Sequence, residues 1–298
     1  MLYTYQLQLV LAVGGQGSYT AAARRLHLTQ PAVSRQIRLL QEQLGVTLFR
    51  RVGRKMLPTH AGERLVEIAH QVLALSRRVE QDMALMRGEV AGVLRVGGSG
   101  APAWHVLGRL LSAFRTDYPV VGFRLEWLPP DGAGRALREG CFDLLLLEER
   151  IEERGLVCEL LVEMETVVAV PRGGRWDRRK RLPLGKLAET TLILPAPGTS
   201  ARRFLEEYMA GRDISLPAPM QSLEVPDPGA ALPLVAAGLG AALLPAPLLP
   251  ASMVSVRSLV LWPGFSWPLY IVRRATSASQ LEEIFWEFAL GEGQALLR

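Results

Sequence analysis

The chain has 298 residues, 49% of them hydrophobic and 21% charged, so it has enough apolar side chain for two or three folded domains. This composition excludes a disordered or fibrous protein. Two cysteines are too few for a disulfide scaffold, and the first residues lack the basic start and long apolar stretch of a signal peptide. We therefore expect a cytoplasmic protein.

Positive charge is concentrated at the N-terminus. The net charge is +5, but residues 1–60 contain eight basic side chains against one acidic residue, Glu42, which gives +7 there and leaves −2 for the rest of the chain. A basic domain joined to a near-neutral body favours a polyanionic partner for the first domain only. The alternative is a basic face that is simply solvated.

The first two helices are predicted from apolar spacing and capping residues. Residues 5–13 carry apolar side chains at helical spacing, and we expect this helix to end at Gly14. Ser18 offers a side-chain oxygen as the N-cap of a second helix over residues 19–26.

A third helix follows a short turn at His27. Thr29 can cap it, Pro31 is tolerated in its first turn, and Gly45 ends it. One face of this helix is apolar, and the other bears Gln30, Ser34, Arg35 and Arg38. Arginine can donate two hydrogen bonds to guanine, and glutamine can pair with adenine, so the pattern predicts a helix-turn-helix that reads the major groove. An ordinary helical hairpin is the alternative.

A basic turn follows the third helix. The apolar pairs Leu48-Phe49 and Met56-Leu57 enclose residues 50–55, which read RRVGRK with Gly53 at the bend. Two short strands around a basic tip form a wing suited to phosphate and minor-groove contact.

These segments together resemble a known family. The run SYTAAARRLHLTQPAVSRQIRLLQEQLGVTLFRR, followed by GRKMLPTHAGERL, resembles the winged helix-turn-helix of LysR-type transcriptional regulators over residues 5–65. The resemblance implies that Gln30, Pro31, Ser34 and Arg35 face bases and that Arg54 reaches the minor groove. Pro58-Thr59-His60 departs from the family pattern at a helix start. The expected DNA-binding set is Thr29, Gln30, Pro31, Ser34, Arg35, Arg38, Arg51, Arg54 and Lys55.

A long linker helix is predicted over residues 59–87, a stretch of about 28 residues or ~42 Å. Its apolar residues follow a heptad pattern that is interrupted only at Asp82. We expect this seam to pair with a second copy of the chain, giving a dimer or tetramer that presents recognition helices to paired half-sites. The alternative is a helix that lies on its own domain. The expected seam residues are Leu65, Ile68, Val72, Leu75 and Val79.

The remaining two hundred residues alternate between strands and helices, which predicts an α/β fold with a largely parallel sheet. In LysR-type regulators this region is a two-lobed, periplasmic-binding-protein-like effector domain, and EGCFDLLLLE and LVAAGLGAALLP resemble its recurring segments. The expected organisation is a winged helix-turn-helix at 1–58, a linker helix at 59–88 and an effector domain at 89–298. Lobe I is expected at about 91–163 and 266–298, and lobe II at about 164–265, with crossover strands near Glu163 and Phe265.

Two loops are expected to bind an effector between the lobes. Each follows a strand and begins a helix, where hydroxyls and free N–H groups suit a small carboxylate. Plain helix capping is the alternative. Glu148 and Glu149 lie close by in the sequence and would repel an anion unless they point outward or pair with an arginine, so a cationic effector remains open. The expected effector-binding residues are Ser99, Gly100, Ala101, Thr199 and Ser200.

Other functions find less support. Residues 228–256 are uncharged, but four prolines interrupt them, so a buried strand and helix are expected rather than a membrane span. Cys141 and Cys158 are expected to be small apolar side chains rather than a redox switch, and the histidines lack metal-ligand spacing. An enzyme with an added DNA-binding domain is the alternative function, but no catalytic cluster is seen.

We therefore predict a non-enzymatic, DNA-binding transcriptional regulator without a metal or other cofactor. Its expected partners are duplex DNA, a small organic effector of unknown identity, further copies of the chain and RNA polymerase, but no membrane.

Overall fold

The computed structural model describes residues 3–129, 131–212, 222–250, 252–276, 278–293 and 295. The chain divides into two units, each described separately below. The first comprises Met1–Gly92 with Arg135–Phe142, and the second Val93–Gly134 with Asp143–Arg298.

The first unit is a winged helix-turn-helix followed by a long helix. Its elements are α1 Thr4–Gln16, α2 Tyr19–Arg25, α3 Gln30–Leu44, β1 Phe49–Val52, β2 Lys55–Pro58 and α4 His60–Met86. The helix ending expected at Gly14 is wrong, because α1 continues to Gln16 and ends where Gly17 adopts a φ of 58°. A left-handed φ favours glycine, since it has no Cβ to clash with the backbone.

The start of α4 is fixed against the wing. The Thr59 hydroxyl accepts a hydrogen bond from the Gly62 N–H at 3.1 Å and donates one to the Thr47 carbonyl at 2.6 Å. A Cβ at Gly62 would lie 2.0 Å from the Leu48 carbonyl oxygen, so only glycine permits this close approach.

The linker helix has one buried and one exposed apolar face. Leu65 is 8% exposed and, with Ala69, belongs to the core formed by α1–α3 and β1. Its placement in an intermolecular seam is therefore wrong, because its own domain already buries it. The exposed apolar side chains of α4 lie three or four residues apart and are Ile68, Val72, Leu75, Val79, Met83 and Met86.

Residues 135–142 pack on α4 within the first unit. The Arg135 guanidinium pairs with Glu67, and Arg77 donates a hydrogen bond to the Gly140 carbonyl at 3.4 Å. A Cβ at Gly140 would lie 2.8 Å from the Ala74 Cβ, so the turn approaches the helix closely.

The second unit alternates strands and helices as the sequence predicts. Its elements are β3 Gly92–Gly98, α5 Gly100–Asp117, β4 Val121–Trp127, α6 Ala133–Arg138 (shared with the first unit), β5 Leu144–Leu147, β6 Leu156–Pro171, β7 Arg181–Pro183, β8 Leu192–Pro195, α7 Ser200–Ala210, β9 Ser222–Val225, α8 Ala231–Ala236, β10 Ala241–Pro245, β11 Val256–Trp262, β12 Ser266–Arg274 and α9 Gln280–Glu292.

The strands follow the order β4-β3-β5-β12-β6-β10-β8-β9, with β11 paired to β6 and β7 paired to β11. The first half of β6 pairs antiparallel with β12, from Leu156 opposite Arg274 to Glu165 opposite Ser266. Its second half pairs with β10 and β11. The sixteen-residue β6 therefore joins the two halves of the sheet, and the chain returns beside it at Phe265, whose carbonyl accepts the Thr166 N–H at 3.0 Å.

Candidate functional site

The recognition helix α3 is positioned by a tight turn. His27 has a φ of 56°, the Leu28 N–H bonds the Ala23 carbonyl at 2.8 Å, and the His27 N–H bonds the Arg24 carbonyl at 3.3 Å. This pair of bonds is a Schellman motif, which ends α2 and turns the chain into α3. Thr29 lies at the N-cap of α3, but its side chain accepts no hydrogen bond from the helix.

The wing is tied to the helices around it. The Gln41 side-chain oxygen accepts the N–H groups of Leu48 at 2.7 Å and Phe49 at 3.3 Å. The Met56 N–H bonds the Gly17 carbonyl at 2.8 Å. These bonds hold the recognition helix and the wing in one rigid arrangement.

The structure exposes almost all of the expected DNA-binding residues. Ser34 is half-buried and the other eight are exposed. Arg38 lies 4.0 Å from Glu42, and the Arg51 guanidinium donates to the Gly53 carbonyl at 3.2 Å. Three further basic residues of this domain are also exposed. The predicted site omitted them, although they contribute to the positive charge of the domain; they are Arg24, Arg25 and Arg50.

The second unit contains a cavity of about 420 Å³ at the N-termini of α5 and α7. It includes four of the five residues expected to bind the effector. Its lining residues are Ser99, Gly100, Trp104, Trp127, Pro129, Asp131, Glu148, Pro197, Gly198, Thr199, Ser200, Ala201, Pro226, Asp227 and Pro228.

Ala101 does not line this cavity. It packs against the apolar core around β10 and α8, and a Cβ at Gly229 would lie 3.0 Å from the Ala101 Cβ. The first turn of α5 directs its side chain into the core, so a contact of Ala101 with the effector would be made by its backbone N–H and stays a prediction.

The two cap residues differ in what their hydroxyls contact. Thr199 donates to the Ala196 carbonyl at 2.8 Å and accepts the Arg202 N–H at 3.2 Å, so it caps α7. Ser99 lies at the N-cap of α5, yet its buried hydroxyl makes no cap bond and has no hydrogen-bond partner among the residues that the structure describes. A buried polar group without a partner is costly, which makes Ser99 a candidate ligand contact.

Glu148 points into the cavity and is only 4% exposed. Burial, together with the negative charges of Asp227 and Glu149, raises the pKa of Glu148 to about 8, although a hydrogen bond from the Trp267 indole at 3.3 Å opposes the shift. Gly100 has a φ of 79°, and a Cβ there would lie 2.2 Å from a Glu148 carboxyl oxygen. Glycine at this position therefore makes room for the carboxyl group.

Glu149 pairs with Arg203 on α7 at 2.6 Å, one of the pairings that the sequence left open. The sequence prediction missed Trp104, Trp127 and Asp227 as wall residues, since each lies in a different segment and no local pattern connects them. In the fold, the 65% exposure of the large Trp127 side chain is a further feature that marks the site.

The remaining candidates add no further site. Cys141 and Cys158 are half-buried and are not joined in a disulfide, and burial raises the pKa of the Cys158 thiol, which lowers its reactivity. Among the residues that the structure describes, no His, Cys, Asp and Glu side chains form a group that could hold a metal ion. No helix in the described part of the chain could cross a bilayer, and residues 228–250 form short helical turns, α8 and β10.

Family models match most of the chain on either side of the linker helix. The family model described as "LysR substrate binding domain" matches residues 87–294, and "Bacterial regulatory helix-turn-helix protein, lysR family" matches residues 4–63. The HTH-type transcriptional regulator TfdS of Cupriavidus pinatubonensis is 34% identical over 236 residues, which is 79% of this chain and 79% of TfdS.

Solved structures agree with this assignment. CbnR, described as a LysR family transcriptional regulator, has a TM-score of 0.74 at 25% identity over 98% of this chain and 100% of that chain. Full-length CbnR in complex with its target DNA has a TM-score of 0.72 at 25% identity over 98% of this chain and 99% of that chain. The winged helix-turn-helix, linker helix and α/β domain expected from the sequence are confirmed. The chain belongs to the LysR family and is a DNA-binding transcriptional regulator rather than an enzyme.

Proposed function

We propose that this protein binds paired DNA half-sites through α3 and the wing and that a small organic effector in the cavity controls this binding. Gln30, Ser34 and Arg35 would read bases, and Arg54 would enter the minor groove. Binding to chromosomal DNA implies a cytoplasmic protein.

The observation that carries the effector assignment is the buried Ser99 hydroxyl in the wall of a cavity of about 420 Å³. That volume suits a small organic ligand, since ligand pockets typically enclose ~300–1,000 Å³. The first N–H groups of α5 and α7 have no partner within their helices and supply donors at the same wall.

Self-association is supported by the exposed apolar stripe of α4 from Ile68 to Met86. An apolar stripe on a helix of 27 residues favours pairing with a second copy, because water otherwise covers it. A dimer or tetramer would present several recognition helices, and RNA polymerase is the partner through which such a regulator would act on transcription.

The DNA-binding assignment can be tested by selecting bound fragments from a randomised duplex library with the purified full-length chain. We expect enriched sequences to contain an inverted repeat whose half-sites lie about one helical turn, or a multiple of it, apart. Enrichment of a lone half-site would contradict the paired arrangement, and no enrichment at all would contradict specific base reading.

A further inference from the structure

The cavity carries negative charge without a matching basic side chain. Three carboxyl groups, those of Asp131, Glu148 and Asp227, belong to its wall. Among the described residues that line it there is no arginine, lysine or histidine. An anionic effector would therefore meet carboxylates with only the helix N-termini to balance its charge.

The arginines nearest in the sequence to this wall are engaged elsewhere. Arg202 contacts Glu206 at 2.7 Å, and only 12% of its side chain is exposed. Arg203 pairs with Glu149 at 2.6 Å. Because both guanidinium groups already have carboxylate partners, neither is available to neutralise an anion in the cavity.

Aromatic and apolar groups form the rest of the wall. Trp104 and Trp127 line the cavity together with four prolines, and Trp127 is 65% exposed. Among aromatic side chains, the face of a tryptophan ring attracts organic cations most strongly. Exposed tryptophan beside the buried carboxyl group of Glu148 and the more exposed carboxyl groups of Asp131 and Asp227 is a combination that suits an ammonium group on an apolar body.

We infer that the effector carries a positively charged nitrogen on an apolar body, with the nitrogen near Glu148 and Asp227 and the body against Trp104 and Trp127. The buried Ser99 hydroxyl supplies a hydrogen bond to the same ligand. A simple amine and an amino acid share this chemistry, and the carboxylate of an amino acid would lie at the N-termini of α5 and α7. This inference rests on the proposed function of the cavity as the effector site.

The raised pKa of Glu148 gives the inference a pH signature. The charged groups around Glu148 are Asp227, Glu149 with its partner Arg203, and Asp131 on the cavity wall. At neutral pH most Glu148 carboxyl groups are protonated, because the pKa is about 8. A bound ammonium favours the ionised form, so binding at pH 7 releases a proton, and the affinity rises as pH increases toward about 8.5.

Isothermal titration of the full-length protein with three probes of one shape tests the inference. The probes are 2-phenylethylammonium, phenylalanine and 3-phenylpropionate, which share a phenyl group and differ in charge. We expect at least one of the first two to bind about tenfold or more tightly than 3-phenylpropionate, and their relative affinity distinguishes an amine from an amino acid.

Glu148→Gln removes the ionisable group and keeps its shape. It should lower the affinity for the cationic or zwitterionic probe by about tenfold or more. It should also abolish proton release on binding, which is measured by titration in buffers of different ionisation enthalpy. Glu207→Gln is the matched control and should change affinity less than about twofold, because this exposed carboxyl group of α7 does not line the cavity. If Glu148→Gln does not fold, the pH dependence of binding to the unaltered protein provides the same test.

Three results would overturn the inference: tighter binding of 3-phenylpropionate than of either nitrogen-containing probe, no binding of those two probes at millimolar concentration, or affinity that is independent of pH and of Glu148. If a carboxylate binds and alters DNA affinity, the proposed function stands while the cation assignment fails. If a cation binds without any change in DNA binding, the cation assignment stands and the proposed function fails.

Discussion

Arg35 is the side chain on which base reading depends most. It is exposed near the start of α3, and a guanidinium there can donate two hydrogen bonds to one guanine. Arg35→Ala should weaken binding to a selected site by ~1–3 kcal/mol and relax preference at one base position. Arg54→Ala, at the wing, should weaken binding with less change in major-groove preference.

Fluorescence anisotropy with the selected site and with random duplex measures both effects. Arg115→Ala removes the same charge from an exposed position on α5, and serves as the control for net charge. Equal losses of affinity on specific and random DNA for Arg35→Ala would mean that Arg35 contacts phosphate rather than bases.

Glu148 makes stability depend on pH. Its pKa is about 8 in the folded protein and near 4.5 in the unfolded chain, so the folded state binds more protons between these values. The contribution of Glu148 to the free energy of unfolding is therefore most favourable at low pH and is lost as pH rises from about 4.5 to 8. Glu148→Gln should match the unaltered protein near pH 4.5 and exceed it by a few kcal/mol near pH 8.

Thermal unfolding followed by circular dichroism at several pH values measures this difference. Glu207→Gln is the control, since it makes the same substitution at an exposed position of α7 and leaves the charges around Glu148 unchanged. A constant difference between Glu148→Gln and the unaltered protein at all pH values would contradict the burial of an ionisable group.

At the scale of the element, a residue in the left-handed backbone conformation follows each of α2 and α3, a histidine in the first case and a glycine in the second. His27 follows α2 with a φ of 56°, and Gly45 follows α3 with a φ of 68°. Since a Cβ is strained in this conformation, His27→Gly should raise the free energy of unfolding by about 0.5–1 kcal/mol. Gly45→Ala should lower it by about 1 kcal/mol, and urea unfolding measures both. Changes of the same sign would contradict this account.

The linker helix provides a second prediction at this scale. Leu75 is 61% exposed, so Leu75→Glu places no charge inside the chain's own fold, but it would bury one in an intermolecular seam. We expect the variant to dissociate in sedimentation velocity and to lose cooperative binding to paired half-sites. Gln71→Glu adds the same charge at another exposed position of α4 and should leave the assembly intact. An unchanged assembly in Leu75→Glu would exclude this seam.

Local elements could be predicted from the sequence because their causes are local. Apolar spacing, capping residues and the basic turn are each contained within a few residues, and they predict α2, α3 and the wing almost to the residue. The heptad pattern was less specific. It could not distinguish Leu65, which its own domain buries, from Leu75, which is exposed, because both satisfy the same spacing.

The cavity could be predicted only in part, because it depends on distant segments. Ser99 and Thr199 follow strands and begin helices, a local pattern, whereas Glu148 is held by Trp267, which lies 119 residues further on. Similarly, the first half of β6 contains the exposed residues Glu159 and Glu163 and lacks a regular alternation of exposed and buried side chains, so no local pattern predicts it as a strand. Pairing between strands, rather than local composition, determines these features.

At the scale of the whole molecule, an effector can control transcription only through a difference in its affinity for two conformations. Phe204 and Tyr208 of α7 pack on Phe265, at ring-centroid distances of 5.5 Å and 3.9 Å, close to where the chain crosses back beside β6. The same crossover carries Trp267, which holds Glu148. A ligand in the cavity that moves α7 would therefore also move the crossover segment, and hinge closure about it is the expected response.

Ser99→Ala tests this coupling with little disturbance of the fold, because the hydroxyl has no internal partner to lose. The variant should bind an identified effector with less affinity, retain its affinity for DNA without effector, and require more effector to alter DNA binding by the ~1–3 kcal/mol typical of allosteric coupling. Thr199→Val should weaken effector binding too, but it also removes the cap of α7, so Thr199→Ser is its control. Calorimetric titration gives the effector affinity, and anisotropy gives DNA affinity at each effector concentration. If the double variant Ser99→Ala, Thr199→Val binds the effector as tightly as the unaltered protein, the effector lies outside this cavity.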